Sequence, residues 1–328
     1  MDTGRVEGKA ICPTKILIFD LATDHLLHKY VVPDDQVLFG KAALVTPIVD
    51  VGKMCSDTYL YVADVDQNGL LIYDFYHDYS WRVNNTRGNA FGPDDDATNI
   101  TIAGESFNLT DGTLGMSLSP KGYFDERYRS KLETNVSLLI KLISNICKYF
   151  FKKKKRKKKI STRHIDWRVI SRYLYFNSLA SYRQKFTDTY SLKQSKHKEP
   201  IVLESNYKRA SQAGVQATSR RGVIFFQLVQ LTAIACWNIG KPFAPENVVI
   251  IAQDEETLQY VSGIKVVTNS QGEEELWFNT NRLQKTINMT LKPTETNFRI
   301  IKGKVDDIIK GTNCETHRVP DTNFWHRV

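Results

Sequence analysis

Between Gly222 and Asn281 the chain repeats one theme, an apolar run, a turn and another apolar run: GVIFFQLVQLTAIACWN, ENVVIIAQDEETLQYVSGIKV and EELWFNTNR. Each run holds about four to eight residues rich in Val, Ile, Phe, Tyr and Trp and is bounded by Gly, Pro, Asn or Asp. That is the pattern of strands in stacked antiparallel sheets. The theme recurs upstream in KILIFDL, TYLYVADV, GLLIYDF and RYLYFNSL. Short strands at near-regular spacing, with almost no helical periodicity between them, leave two all-β architectures, a β-propeller or a large sandwich. A sandwich of about seven to nine strands leaves much of a 328-residue chain unused, which favours the propeller.

Local chemistry sharpens that expectation. YLYVADVDQNGLLIYDF, from Tyr59 to Phe75, reads as two strands around a turn at Asn68 and Gly69, where positive φ costs little. This hairpin is expected to form the middle of a four-stranded blade. LWFNTNR, from Leu276 to Arg282, reads as another strand entering such a turn. Asp64 and Asp74 end strands, where a carboxylate bonds nearby backbone amides more readily than it does chemistry. A composition of 41% apolar and 11% aromatic residues agrees with a globular fold that buries a sizeable core.

The formal net charge of +9 points to an anionic partner until its source is located. Arg129 to Ser171 carries fourteen Lys or Arg against Glu133 and Asp166, so it supplies all of the excess and the rest of the chain is slightly acidic. The segment holds VSLLIKLISNICKYFF followed by the basic run Lys152 to Lys159, and it separates SPKGYFDERY from RYLYFNSLAS. It divides the chain into residues 1–127, a basic insertion at 128–171, a second part at 172–315 and a tail at 316–328. The insertion reads as translated intron or a disordered loop. A surface-binding loop, a polybasic membrane anchor and a nuclear or nucleic-acid patch are the competing readings. Val136 to Phe151 is too short and too often interrupted by Lys to span a bilayer. Neither a membrane nor a nucleic-acid partner is expected.

DTGRV, ICPTKILIFDL, YVADVDQNGLLIYDF, GESFNLTDGTLGMSLSP, AIACWN, AQDEETLQYVSG, LWFNTNRLQK and ETNFRI with the late Cys314 occur in one order over most of the chain. Together they resemble the insect yellow and major royal jelly protein family. The resemblance implies a secreted six-bladed β-propeller, here without its opening blade and signal peptide because Met1 stands immediately before the DTG motif. It also implies a ligand site for biogenic amines or catechols at the mouth of the central channel. The matching positions are Ser262, Asn281 and Leu283, with Phe107 as an apolar wall. Leu283 departs from the family's aromatic and removes a stacking or cation–π face worth about 0.5 to 2 kcal/mol. Three functional classes follow: a binding protein for small aromatic amines or catechols linked to insect pigmentation or cuticle physiology, a dopachrome-converting tautomerase of the melanin pathway, and a structural or nutritional protein without ligand chemistry.

The remaining motifs are sparse. HExxH, GxSxG and Gly-rich phosphate loops are absent from the sequence, and His25, His28, His77, His164, His197, His317 and His326 are scattered. No metal or cofactor is expected; the acidic run Asp94 to Asp96 reads as a solvated loop rather than a calcium site, because no spaced set of oxygen ligands accompanies it. Of five cysteines, Cys147 lies in the insertion, and the resemblance implies that Cys12 has its partner upstream. Cys236 and Cys314 are the disulfide candidates, with buried free thiols the alternative that spacing leaves open. Asn84, Asn99, Asn108 and Asn288 stand in glycosylation tripeptides, with Asn135 a fifth inside the insertion, and they favour passage through the secretory pathway.

Overall fold

The computed structural model describes residues 1–6, 9–52, 54–84, 89–121 and 172–316. Nearly all of their regular structure is β. A short ribbon pairs β1 (Arg5–Val6) with β2 (Lys9–Ala10), and β3 (Lys15–Phe19) pairs with β4 (Leu26–Val31). The first four-stranded blade runs β5 (Leu44–Val51), β6 (Thr58–Asp64), β7 (Gly69–Asp74), β8 (Tyr79–Asn84). A hairpin follows, β9 (Asn99–Ile102) and β10 (Glu105–Asn108). The second blade is β11 (Thr113–Leu118), β12 (Tyr173–Ser178), β13 (Lys185–Asp188), β14 (Val202–Glu204). The third is β15 (Ala213–Thr218), β16 (Val223–Leu228), β17 (Ala233–Asn238), β18 (Val248–Gln253). The fourth has three strands, β19 (Tyr260–Thr268), β20 (Glu274–Asn281), β21 (Arg299–Lys304).

All pairings are antiparallel, and the leading strands of successive blades neighbour one another in the order β5, β11, β15, β19. The described residues therefore form an all-β, propeller-like array of four blades. The Tyr59–Phe75 hairpin occupies the expected place, since β6 and β7 are the two middle strands of the first blade. Asn68 takes φ 50 in its turn. Central strands of the first three blades are buried on both faces because each blade is covered on both sides, the first by the β3–β4 pair and the second blade. Every residue of β7, β12 and β16 is buried, whereas β21 alternates half-buried and exposed.

Successive side chains of one strand feed different cores. Phe176 packs toward the first blade with Tyr61, Ile72 and Trp81, while its neighbour Tyr175 packs toward the third with Phe226 and Trp237. One blade on, Phe225 of β16 joins Leu276 and Phe278 of the fourth blade. Pairs of blades thus share cores through the period-two alternation of their strands.

Each leading strand breaks register with its partner near its start, between Val45 and Ile48, Thr113 and Gly115, Ala213 and Gln216, and Val261 and Gly263. These irregularities bend the strands at one end of the array, where side chains are re-aimed. Polar groups clasp the blades there. Asn177 Nδ2 donates to the carbonyls of Ala213 and Gly214 at 2.7 and 2.9 Å, and Gln227 accepts from Val261 N at 3.0 Å while donating to Gln259 O at 3.1 Å. A Cβ at Gly115 would sit 2.4 Å from the Gly214 carbonyl, so only glycine permits this approach.

Cys236 of β17 is bonded to Cys314 beyond the last strand, with Cα atoms 6.1 Å apart and a separation of 78 residues; both are fully buried. This resolves the alternative of free thiols. Cys12 and Cys55 are free and exposed. The strands that flank the basic insertion are held side by side: Leu118 pairs with Leu174, and Ser119 N donates to Tyr173 O at 2.8 Å. The 128–171 insertion itself, with Asn135 and Cys147, lies outside the described residues, as does the tail from 317. Among the described residues no helix is long and apolar enough to cross a membrane.

Candidate functional site

The β9–β10 hairpin covers the loop end of three blades. Its turn at Ala103 and Gly104 has φ values of 48 and 81, the positive pair that matches the twist of a two-residue hairpin. Alternation sends Ile100, Ile102 and Phe107 inward, where they pack on Leu179 of the second blade, Val229 of the third and Tyr260 of the fourth. The outward face is polar, and Thr101 Oγ1 lies 2.8 Å from Ser106 Oγ. Gln212 anchors the base by donating to Ala97 O and Asn99 O at 2.9 and 3.1 Å, and Lys285 pairs with Glu105 at 3.1 Å.

Phe107 and Leu283 meet at this cap. Phe107 is 7% exposed, and Leu283 opens the short helix Leu283–Ile287 and packs against the same cluster. Asn281 ends β20 directly opposite Tyr260, and its Oδ1 is buried with no partner among the described residues. An unpaired buried acceptor is costly unless water or a ligand donates to it. Ser262 is the bulged residue of β19; it is exposed, and its Oγ accepts from Asn279 Nδ2 at 2.9 Å. The cap therefore gathers Phe107, Leu283 and, through Tyr260, Asn281. Ser262 stands farther along β19 with Asn279 as its neighbour.

Sequence reasoning missed Asp111 and Tyr260. Asp111 lies in the segment that enters β11, where Ala180 N donates to its carbonyl at 3.3 Å and Gly112 N donates to Val65 O at 2.8 Å. Its half-buried carboxyl is pushed up to about 6, chiefly by burial and secondly by Asp66. Neither Asp66 nor Asp111 has an ion pair or side-chain hydrogen bond to its carboxyl among the described residues. Tyr260 is 7% exposed, and its phenol is raised above its ordinary value by burial and by Asp111. The only sequence sign of Asp111 was LTDGT, which reads as a turn.

The other acids flagged in the sequence have structural partners. Asp64 accepts from the amides of Ala43 and Gln67 and pairs with Arg82 at 2.6 Å, while Asp74 accepts from Tyr76 N and His77 N. Asp94 is bonded by Ser181 Oγ at 2.7 Å, and Asp96 forms a surface pair with Lys208 at 2.8 Å, while Asp95 and Asp96 are exposed. No group of three or more His, Cys, Asp or Glu among the described residues is arranged to hold a metal. A separate polar cleft of about 300 Å³ opens beside the hairpin tip, between Thr101, Gly104, Gln230 and Glu255; none of the four expected ligand residues lines it.

Comparison with known proteins places these features in a lineage. Major royal jelly protein 9 of Apis mellifera is 30% identical over 99% of this chain and 66% of its own length. Major royal jelly protein 7 of the same species is 26% identical over 97% of this chain and 64% of its own. Dopaminechrome tautomerase of Drosophila melanogaster is 26% identical over 96% and 58%. The chain thus spans about two thirds or less of the length of these relatives. A solved streptogramin B lyase structure is a weak likeness, with TM-score 0.38 and 12% identity over 80% of this chain and 54% of that one. The family model for the major royal jelly protein matches residues 1–140 and 151–314, leaving only residues 141–150 of the 128–171 insertion unmatched. With eight ordered motifs, four blades and a match over nearly its whole length, the chain belongs to the major royal jelly protein family.

Proposed function

We propose that this chain is part of a secreted, yellow-like six-bladed propeller that binds a small aromatic amine or catechol under the β9–β10 cap. The observation that carries the reading is the half-buried Asp111 carboxyl without a cation partner, which acts on the buried Tyr260 phenol and feels the exposed Asp66, with the unpaired Asn281 amide oxygen across the strand pair. A ligand ammonium supplies the missing positive charge, Asn281 orients a ligand NH or OH, and Tyr260, Phe107 and Leu283 supply apolar surface. Charge pairing at Asp111 offsets part of what the Leu283 position lacks in aromatic character.

The test is equilibrium binding of dopamine and serotonin, followed by intrinsic fluorescence. Binding is expected to weaken about tenfold between pH 7.5 and pH 5, because a carboxyl titrating near 6 is mostly neutral at the lower pH. Affinity independent of pH and of Asp111 sinks the assignment.

Asp111 also favours a second reading. A carboxyl poised near 6 beside a buried phenol is an acid and base pair of the kind that a dopachrome-type tautomerisation requires. Turnover of aminochrome substrates, absent in Asp111→Asn, separates this reading from simple binding. A structural or nutritional role without ligand chemistry is what remains if neither is found.

Secretion is supported by the disulfide, which persists in oxidising compartments, and by the exposure of Asn84, Asn99, Asn108 and Asn288. Pigmentation or cuticle physiology is the setting this ligand class fits. The insertion at 128–171 as a translated intron or loop belongs to the same reading, and the pairing of its flanks at Ser119 and Tyr173 supports the insertion looping outward. We infer no membrane or nucleic-acid partner, because the charge excess is confined to that insertion.

A further inference from the structure

We propose that a small inorganic anion, of the size and charge of chloride, binds between Arg209 and Lys185 at the loop end of the second blade. Both side chains belong to residues only 3% exposed, an unusual place for two cations. Arg209 lies between β14 and β15. Its Nη2 donates to the carbonyls of Ser181 and Arg183 at 3.0 and 3.1 Å, while Nε and Nη1 are buried with no acceptor among the described residues. The guanidinium lies over the Phe226 and Phe243 rings at 5.9 and 6.0 Å, at the outer edge of cation–π range, and ring faces accept none of its N–H hydrogen bonds in full.

Carboxylates near the pair are too few. Asp94 approaches Lys185 Nζ only to 3.8 Å and already accepts from Ser181, and no carboxylate lies within ion-pair distance of Arg209 among the described residues. Glu204 is largely exposed and also faces Arg183 at 3.9 Å. Two buried cations thus share one partly engaged carboxylate. Burial holds the Arg209 guanidinium down to about 9 and lowers the Lys185 ammonium, and Lys185 also feels Arg209 as a like charge. Buried charges of this kind are normally paired or hydrogen-bonded.

An anion accepting from Nε and Nη1 satisfies both orphaned donors and neutralises the surplus charge. Water satisfies the donors but leaves the charge. That difference makes the site testable independently of any amine or catechol binding, because it involves neither Asp111 nor Asn281.

The experiment measures thermal unfolding of the full chain in chloride, bromide and gluconate at constant ionic strength, together with anomalous diffraction from crystals soaked in bromide. Stabilisation follows RT ln(1 + [L]/Kd), so a millimolar site raises the melting temperature by several degrees at about 0.1 M halide and leaves it unchanged in gluconate. Bromide is expected within about 3.5 Å of Arg209 Nε or Nη1. Lys185→Met, which keeps the buried stem, is expected to fold and lose most of the halide response. A water at that place with no bromide peak, or a halide response undiminished in Lys185→Met, overturns the proposal; should the variant fail to fold, the bromide peak in the unaltered protein decides alone.

Discussion

Two carboxylates at the loop end of the molecule, Asp64 in the first blade and Asp111 under the cap, meet opposite treatment. Asp64 is fully buried, accepts from two backbone amides and is gripped by Arg82 at 2.6 Å. Asp111 is half-buried, lacks a cation, and feels a second carboxyl from Asp66. A strand-ending aspartate with its partners supplied holds a turn in place. One left short of partners costs the fold stability while it is ionised, and can recover that cost from a ligand.

Breaking the first half of this contrast has the largest expected effect. Arg82→Met strands the buried Asp64 charge and is expected to cost about 3 to 5 kcal/mol, read by chemical denaturation. A loss below about 1 kcal/mol would show that the amide bonds alone satisfy Asp64. Next comes the double change Cys236→Ser with Cys314→Ser. Opening a loop of 78 residues is expected to cost about 4 kcal/mol in chain entropy, reduced by any structure remaining in the unfolded chain.

Asp111→Asn tests the other half. It is expected to weaken amine binding about tenfold at pH 7.5 while leaving the fold as stable or slightly more so. The sign follows from the raised folded-state pKa: stability from this group is fully present below its unfolded value and lost as pH rises through about 6. The gain at neutral pH is about 1 kcal/mol once solvent screening of a partly exposed group is allowed for. Asn281→Ala follows, with a severalfold loss of affinity by the same titration; unchanged affinity moves the site elsewhere. The smallest effect is expected from deleting Tyr128 to Ser171, which leaves the β11–β12 stem pairing in place. Soluble yield should rise and the melting temperature stay within a few degrees, whereas failure to fold would make the insertion part of a blade.

The blades were legible because their middle strands are continuous apolar runs between turn residues, as in Tyr59–Phe75 and Val223–Asn238. Asp64 and Asp74 were legible as turn residues for the same local reason. The cap was not. Its strands have four residues each, carry Asn, Thr, Ser and Glu on the outside, and draw their apolar contacts from three different blades. Asp111 was hidden because nothing within LTDGT reveals that Tyr260, far along the chain, lies beside it. The same holds for Arg209 and Lys185, whose burial arises only when blades pack. Phe107 and Leu283 were named from resemblance, and their meeting at the cap depends on contacts no local pattern encodes.

The Cys236–Cys314 bond changes what happens to the chain when it is pulled rather than heated. A tether from either end cannot draw out the residues between the two sulfurs, so about 260 Å of contour length stays hidden at roughly 3.4 Å per residue. That length includes all of the fourth blade. Under tension the oxidised molecule is therefore a shorter polymer than its residue number implies, and a reductant lengthens it in one step.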